Sequence, residues 1–150
     1  MSTKPVSYIA VETKSRLATV HADANVKDVA RLLGTTQRSM VVVCDRSEKM
    51  IGIITKTNVV LQIGHCEGQT CRKLATDLMV SDVAFCHQED SLSDVLAKMA
   101  SLGFVHLPVI DDDFRPVGIV NARDALRAVL ADEVYEESLL FDYVMGVGYR

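Results

Sequence analysis

The apolar positions along the chain fall in blocks whose spacing alternates between helical and strand periods. Val26, Val29, Ala30 and Leu33 lie at i, i+3, i+4 and i+7, the spacing of one helix face. Leu92, Val95, Leu96 and Met99 repeat it. Each stripe follows a residue suited to an N-cap, Asn25 and Ser91, with Asp28 and Asp94 three positions later as in a capping box. Gly34 and Gly103 are placed to end the two helices. Two apolar runs follow each helix: Met40–Cys44 with Ile51–Ile54, and Leu107–Ile110 with Val117–Val120. The polar links Asp45–Lys49 and Asp111–Arg115 separate the runs, so each pair predicts an antiparallel hairpin. Strand-like segments, Leu17–Val20 and Val83–Cys86, precede the first helices, and second helices are predicted from Lys56 and from Ala122.

These blocks read as two copies of one β-α-β-β-α unit. Asp28 and Asp94 stand 66 positions apart, and the same offset pairs His21 with His87, Gly52 with Gly118 and Asn58 with Asp124. No gap is needed from Leu17 and Val83 to Val60 and Leu126. The fold class expected is α+β, with unit 1 over residues 1–62, a linker over 63–71 and unit 2 over 72–131. Ile63–Thr70 reads as a loop and Arg72–Met79 as a short helix leading into the second copy. Residues 132–150 read as a C-terminal helix and tail, with Leu126, Leu130, Val134, Leu140, Phe141 and Val144 on one apolar stripe.

Composition narrows the classes of function. A chain of 150 residues, 49% of them hydrophobic, can build its own core and is not generally disordered. The longest strictly apolar runs are about five residues against the ~20 of a membrane span, so no membrane association is expected. The first residues carry no apolar signal region, so the expected location is cytoplasmic. A net charge of −4 with no basic block argues against nucleic-acid binding by phosphate neutralisation. Cys44, Cys66, Cys71 and Cys86 then read as thiols in a reducing compartment, with Cys44 and Cys86 as small core residues. With His65 and His87 nearby they do not form a standard zinc spacing, so no metal is expected, and a thiol or metal sensor stays a minor alternative. His21 and His87 fall at strand-to-helix turns and read as turn residues, and no nucleophile–base pair or phosphate loop points to an enzyme.

The segments MVVVCDRSEKMIGIITKTNVV and HLPVIDDDFRPVGIVNARDAL, with LATDLMV before the second copy, resemble the CBS-domain pair, or Bateman module. The resemblance implies a regulatory, non-enzymatic module that needs no cofactor. Such a module binds an adenosine-containing regulatory ligand (AMP, ADP, ATP or an NAD-type dinucleotide) between its units, forms homodimers and acts on a regulated partner protein. The family's ligand motif runs Gly, apolar, any, Ser/Thr, two any, Asp. The first copy has Thr55 but Asn58 in the last place, and the second has Asp124 but Asn121 in the hydroxyl place. A carboxylate accepts both hydroxyls of a ribose with charge-assisted bonds, so the Asp124 cleft is the expected main site. By family position it also draws on Asn121, Arg123, Ile119, His106, Val105, Arg38 and Ser39, with Arg38, His106 and Arg123 as phosphate partners. Thr55, Lys56, Asn58 and Met40 form the weaker second cleft. Thr55-x-x-Asn58 and Asn121-x-x-Asp124 equally have capping-box spacing, so each also reads as a plain helix start. A protein-interaction module with degenerate sites is the alternative function.

Overall fold

The computed structural model describes residues 4–36, 38–65 and 73–131. A 3-10 turn (Val6–Ile9) and α1 (Ala10–Ser15) lead into β1 (Thr19–His21), α2 (Val26–Thr36), β2 (Met40–Cys44), β3 (Met50–Thr55) and α3 (Lys56–His65). A short α4 (Ala75–Leu78) then leads into β4 (Cys86–His87), α5 (Leu92–Leu102), β5 (His106–Ile110), β6 (Pro116–Asn121) and α6 (Ala122–Leu130). Two three-stranded sheets result, ordered β1-β2-β3 and β4-β5-β6. In each, the first strand runs parallel to the second, and the second and third form the predicted hairpin.

The repeat holds down to individual rungs. Met40 faces Thr55 and His106 faces Asn121; Val43 faces Gly52 and Val109 faces Gly118. Both hairpins shift register at the same place, between Val43 and Cys44 and between Val109 and Ile110. Their turns are copies too. Asp45 Oδ1 accepts from Ser47 N and Lys49 N, and Asp111 Oδ1 from Asp113 N and Arg115 N. Those bonds hold Glu48 and Phe114 at φ of 67° and 64°, a left-handed conformation that few residues adopt without such support. The turns also meet one another: Met50 N donates to Phe114 O at 2.9 Å. The symmetry-related bond is absent because Pro116 has no N–H.

Strand alternation sorts the side chains into three cores. Val41 and Val43 face α2 and α3, while Leu107 and Val109 join the core of the second unit. From the opposite faces Met40, Val42, Cys44, Ile110 and Ile119 meet in a third cluster between the sheets. Both faces of β2 are therefore covered and all five of its residues are buried.

The segments preceding each unit are exchanged. Val6 and Ile9 sit in the core of the second unit, and Ala75 and Leu78 in that of the first. A Cβ at Gly118 would lie 2.7 Å from Thr13 Oγ1, and one at Gly52 2.6 Å from Met79 Sδ. Each motif glycine thus lets the preceding segment of the opposite unit lie directly on its hairpin.

Several local expectations are corrected. β1 begins later than Leu17, because Lys14 O accepts from Leu17 N and α1 is still closing there, and β4 begins only at Cys86 rather than at Val83. Gly34 lies inside α2, which runs to Thr36, whereas Gly103 does end α5 at φ 72°. Asn25 caps α2 through Asp28 N at 3.0 Å. Ser91 makes no side-chain cap bond; the incoming segment instead pairs Pro5 with Ser91, and Lys4 O accepts from Leu92 N. α3 continues through Ile63–His65, where a loop is expected from the sequence, and among the described residues the helix expected over Arg72–Met79 covers Ala75–Leu78. The terminal stripe beyond Ala131, with Val134, Leu140, Phe141 and Val144, lies outside the described residues, as do Cys66 and Cys71.

Candidate functional site

Two neighbouring clefts open where the units meet, and each takes residues from both. The larger, about 640 Å³, lies at the start of α3 with Thr55, Lys56, Thr57 and Asn58 on one side. Its other walls come from Val80, Asp82–Ala84 and Gly103–Pro108. The smaller, about 330 Å³, is bounded by Ser15, Arg16, Thr36, Arg38 and Ile119. Ser39, Met40 and His106 line both clefts. Volumes in this range suit small-molecule ligands. Val105 belongs to the larger cleft, not to the Arg38 side with which the family position grouped it.

The four motif residues at the two helix starts behave differently. Asn58 Oδ1 accepts from Thr55 N at 2.8 Å and Thr55 Oγ1 at 2.9 Å, while Thr55 Oγ1 accepts from Asn58 N at 3.3 Å. That is a closed capping box. Asn121 Oδ1 accepts from Arg123 N at 2.8 Å and so caps α6 alone. Asp124 does not reach back to its cap. Its carboxylate accepts from Arg16 Nε at 2.6 Å and from Arg16 Nη2 at 3.3 Å, with Arg127 3.9 Å away. Only 7% of the Asp124 side chain is exposed, against 41% for Arg16. A ribose bound by Asp124 has to displace this guanidinium.

Arg16 was not among the residues singled out from the sequence. It reaches Asp124 only because α1 packs on β6 of the other unit. The end of α1 also positions Arg38: its Nη2 donates to Ser15 O at 2.6 Å and its Nε to Arg16 O at 3.3 Å.

His106 sits between the clefts. The cap bond fixes the Asn121 amide, so Asn121 Nδ2 donates to His106 Nε2 at 3.1 Å and the ring carries its proton on Nδ1. Burial holds the pKa of His106 below its ordinary value; nearby Arg16 acts in the same sense and Asp124 against it. Neutral His106 is thus an acceptor here, not a cation. Arg123 is exposed beside the Asn121 cap and lines neither cleft.

The thiols of Cys44 and Cys86 differ from a reactive site. Burial pushes Cys44 up to about 11 and Cys86 up to about 12, and both side chains are core residues. Among the described residues no group of three His, Cys, Asp or Glu side chains is gathered for a metal.

The CBS domain model matches residues 1–65 and again 75–131, the two units that surround these clefts. The chain belongs to the CBS-domain family. Solved CBS pairs share its fold. The pair from protein MJ0100, in complex with 5′-methylthioadenosine and S-adenosyl-L-methionine, is 23% identical with a TM-score of 0.73, covering 88% of this chain and all of that one. The CBSX2 protein in complex with AMP is 21% identical with a TM-score of 0.73, covering 85% of this chain and 97% of that one. A curated relative, homoserine O-acetyltransferase of Methanobrevibacter ruminantium, is 29% identical over 108 residues, 72% of this chain and 21% of the enzyme. The CBS pair described here spans only about a fifth of the length of that relative and of the next.

Proposed function

We propose that the chain is a non-enzymatic regulatory module that binds an adenosine-containing ligand in the clefts between its CBS units, in a reducing cytoplasmic setting. The carrying observation is that two clefts are formed jointly by the two units, with the start of α3 lining the larger and Ile119 of the second motif lining the smaller. A ligand there touches both units, so it can bias their arrangement if it binds one arrangement more tightly. Apolar walls suit an adenine ring, and the guanidinium groups of Arg16 and Arg38 suit an anionic group. Related pairs are seen with AMP, 5′-methylthioadenosine and S-adenosyl-L-methionine, which supports the adenosine class. Among the described residues no helix is long and apolar enough to cross a membrane.

A thermal-shift panel of AMP, ADP, ATP, NADH, 5′-methylthioadenosine and S-adenosyl-L-methionine tests this reading. A ligand specific to the folded state adds about 2.7 kcal/mol at a hundredfold excess over Kd. In a chain of this size that raises Tm by roughly 5–10 °C. A saturable rise is expected with at least one compound; a flat response to all six refutes the reading. The second reading is a protein-interaction module with degenerate sites. It is favoured by one observation, that Asn58 and Asp124 are both already satisfied by partners within the chain.

A further inference from the structure

The two clefts are related by the 66-residue offset, so their walls can be compared position by position. Arg16 in the smaller cleft corresponds to Asp82 in the larger and Arg38 to Phe104, while Asn58 of the larger cleft corresponds to Asp124, which lies under Arg16 behind the smaller one. At each of these positions the charge differs. We propose that the clefts divide the ligand chemistry: the Arg16–Arg38 cleft takes a phosphate group, and the Asp82 cleft takes an unphosphorylated adenosine compound through its ribose hydroxyls. This rests on the adenosine reading above and assigns to each cleft its own class of ligand.

The smaller cleft is lined by two guanidinium groups, Arg16 and Arg38, with the carboxylate of Asp124 buried behind Arg16 rather than on the cleft wall. Arg16 is matched by Asp124, which leaves the charge of Arg38 without a carboxylate among the described residues. Two carbonyls at the end of α1 already hold Arg38 in place, so little side-chain freedom is lost when it binds an anion. Guanidinium forks suit phosphate oxygens. Asp124, nearly buried under Arg16, offers no open pair of oxygens for a diol in this resting arrangement.

The larger cleft has the opposite character. Its walls include Met40, Ile53, Val83, Phe104 and Val105, which suit a flat base. Asp82 is exposed there and makes no hydrogen bond or ion pair with any described residue. Its two oxygens are open to the two adjacent hydroxyls of a ribose, the role that Asn58, closed onto Thr55, does not offer. A phosphate placed beside Asp82 meets like charge, with Lys56 as the compensating cation.

Calorimetry on the whole chain tests the division with AMP and 5′-methylthioadenosine as probes. Saturating 5′-methylthioadenosine should leave the AMP titration in place, because the two occupy different clefts. Arg38→Gln should weaken AMP about 10- to 100-fold and Asp82→Asn should do the same to 5′-methylthioadenosine, the cost of a charge-assisted bond. Neither residue is buried, and an unchanged melting temperature of the unliganded variants will show that the fold is intact. Mutual exclusion of the two probes overturns the proposal, as does an equal effect of each variant on both. If neither probe binds the native chain, the division between AMP and 5′-methylthioadenosine is overturned while the adenosine reading is decided by the six-compound panel, and pyrophosphate then tests the anion cleft on its own. Binding lost in Arg38→Gln sustains that half, and no binding of pyrophosphate overturns it.

Discussion

Replacing Arg16 by Gln leaves a nearly buried carboxylate without its bidentate partner, and the structure allows the size of the effect to be reasoned out. Breaking a fully buried pair from one side costs about 3–5 kcal/mol. Exposed pairs are worth roughly 0.2–1 kcal/mol. This pair lies between those limits, since Asp124 is 7% exposed but Arg16 is 41% exposed, and Arg127 remains 3.9 Å away. Arg16→Gln should therefore cost about 2 kcal/mol, or roughly 4–8 °C in Tm. Asp124→Asn keeps the shape and leaves Arg16 free to turn to solvent, so about 1 kcal/mol is expected. The double variant should lose less than the two singles together, with a coupling of about 1 kcal/mol or more. Urea unfolding followed by circular dichroism measures all three, with unchanged m-values showing that the unfolded states are alike. Additivity within about 0.5 kcal/mol would falsify the claim that this bond ties the first segment of the chain to the second unit.

Gly118→Ala should destabilise by about 1–3 kcal/mol, because the new Cβ would lie 2.7 Å from Thr13 Oγ1 and 3.0 Å from its main-chain carbon; a neutral result in denaturant unfolding would deny the close crossing. Asn58→Ala opens the capping box and should cost about 1 kcal/mol by the same method. His106 has a folded pKa below its ordinary value, so its contribution is full above about pH 6.5 and is lost as pH falls through the folded value. Stability measured from pH 7.5 to 5 should therefore fall less steeply in His106→Gln than in the native chain; identical slopes contradict the assignment. The exposed Val60, Leu61 and Ile63 of α3 suit a homodimer contact, and light scattering at micromolar concentration should give a dimer mass; a monomer argues against it.

Local patterns predicted whatever is decided locally. The helix stripes, both hairpins and the starts of α3 and α6 were legible because period, turn chemistry and capping are properties of neighbouring residues. The rung-by-rung equivalence of the hairpins followed from one constant offset. The misses share a cause. Ser91 has the chemistry of a cap, but a segment more than 80 residues earlier occupies that helix start, through Lys4 and Pro5. Arg16 and Asp82 stand one position before the stretch where the repeat reads without a gap, and their importance depends on which unit α1 packs against. Asp124 matched the family motif, yet its partner lies 108 residues away. No local pattern carries that pairing, although continuing the offset by one position would have set Arg16 beside Asp82.

The exchange of leading segments has a consequence for synthesis. Val6 and Ile9 are completely or almost completely buried, and burial of such side chains contributes roughly 1.5–3 kcal/mol each. Their docking surface includes Leu92, Val95, Leu107 and Val120, which leave the ribosome late. At about 5–20 residues per second, the earliest part of the chain waits several seconds or more before its partner surface exists. During that interval its apolar side chains are uncovered, and the first unit also lacks Ala75 and Leu78 until the second begins to emerge. The nascent first unit therefore lacks part of its core until Ala75 and Leu78 are made, and Val6 and Ile9 are covered only once β5 and β6 have been made.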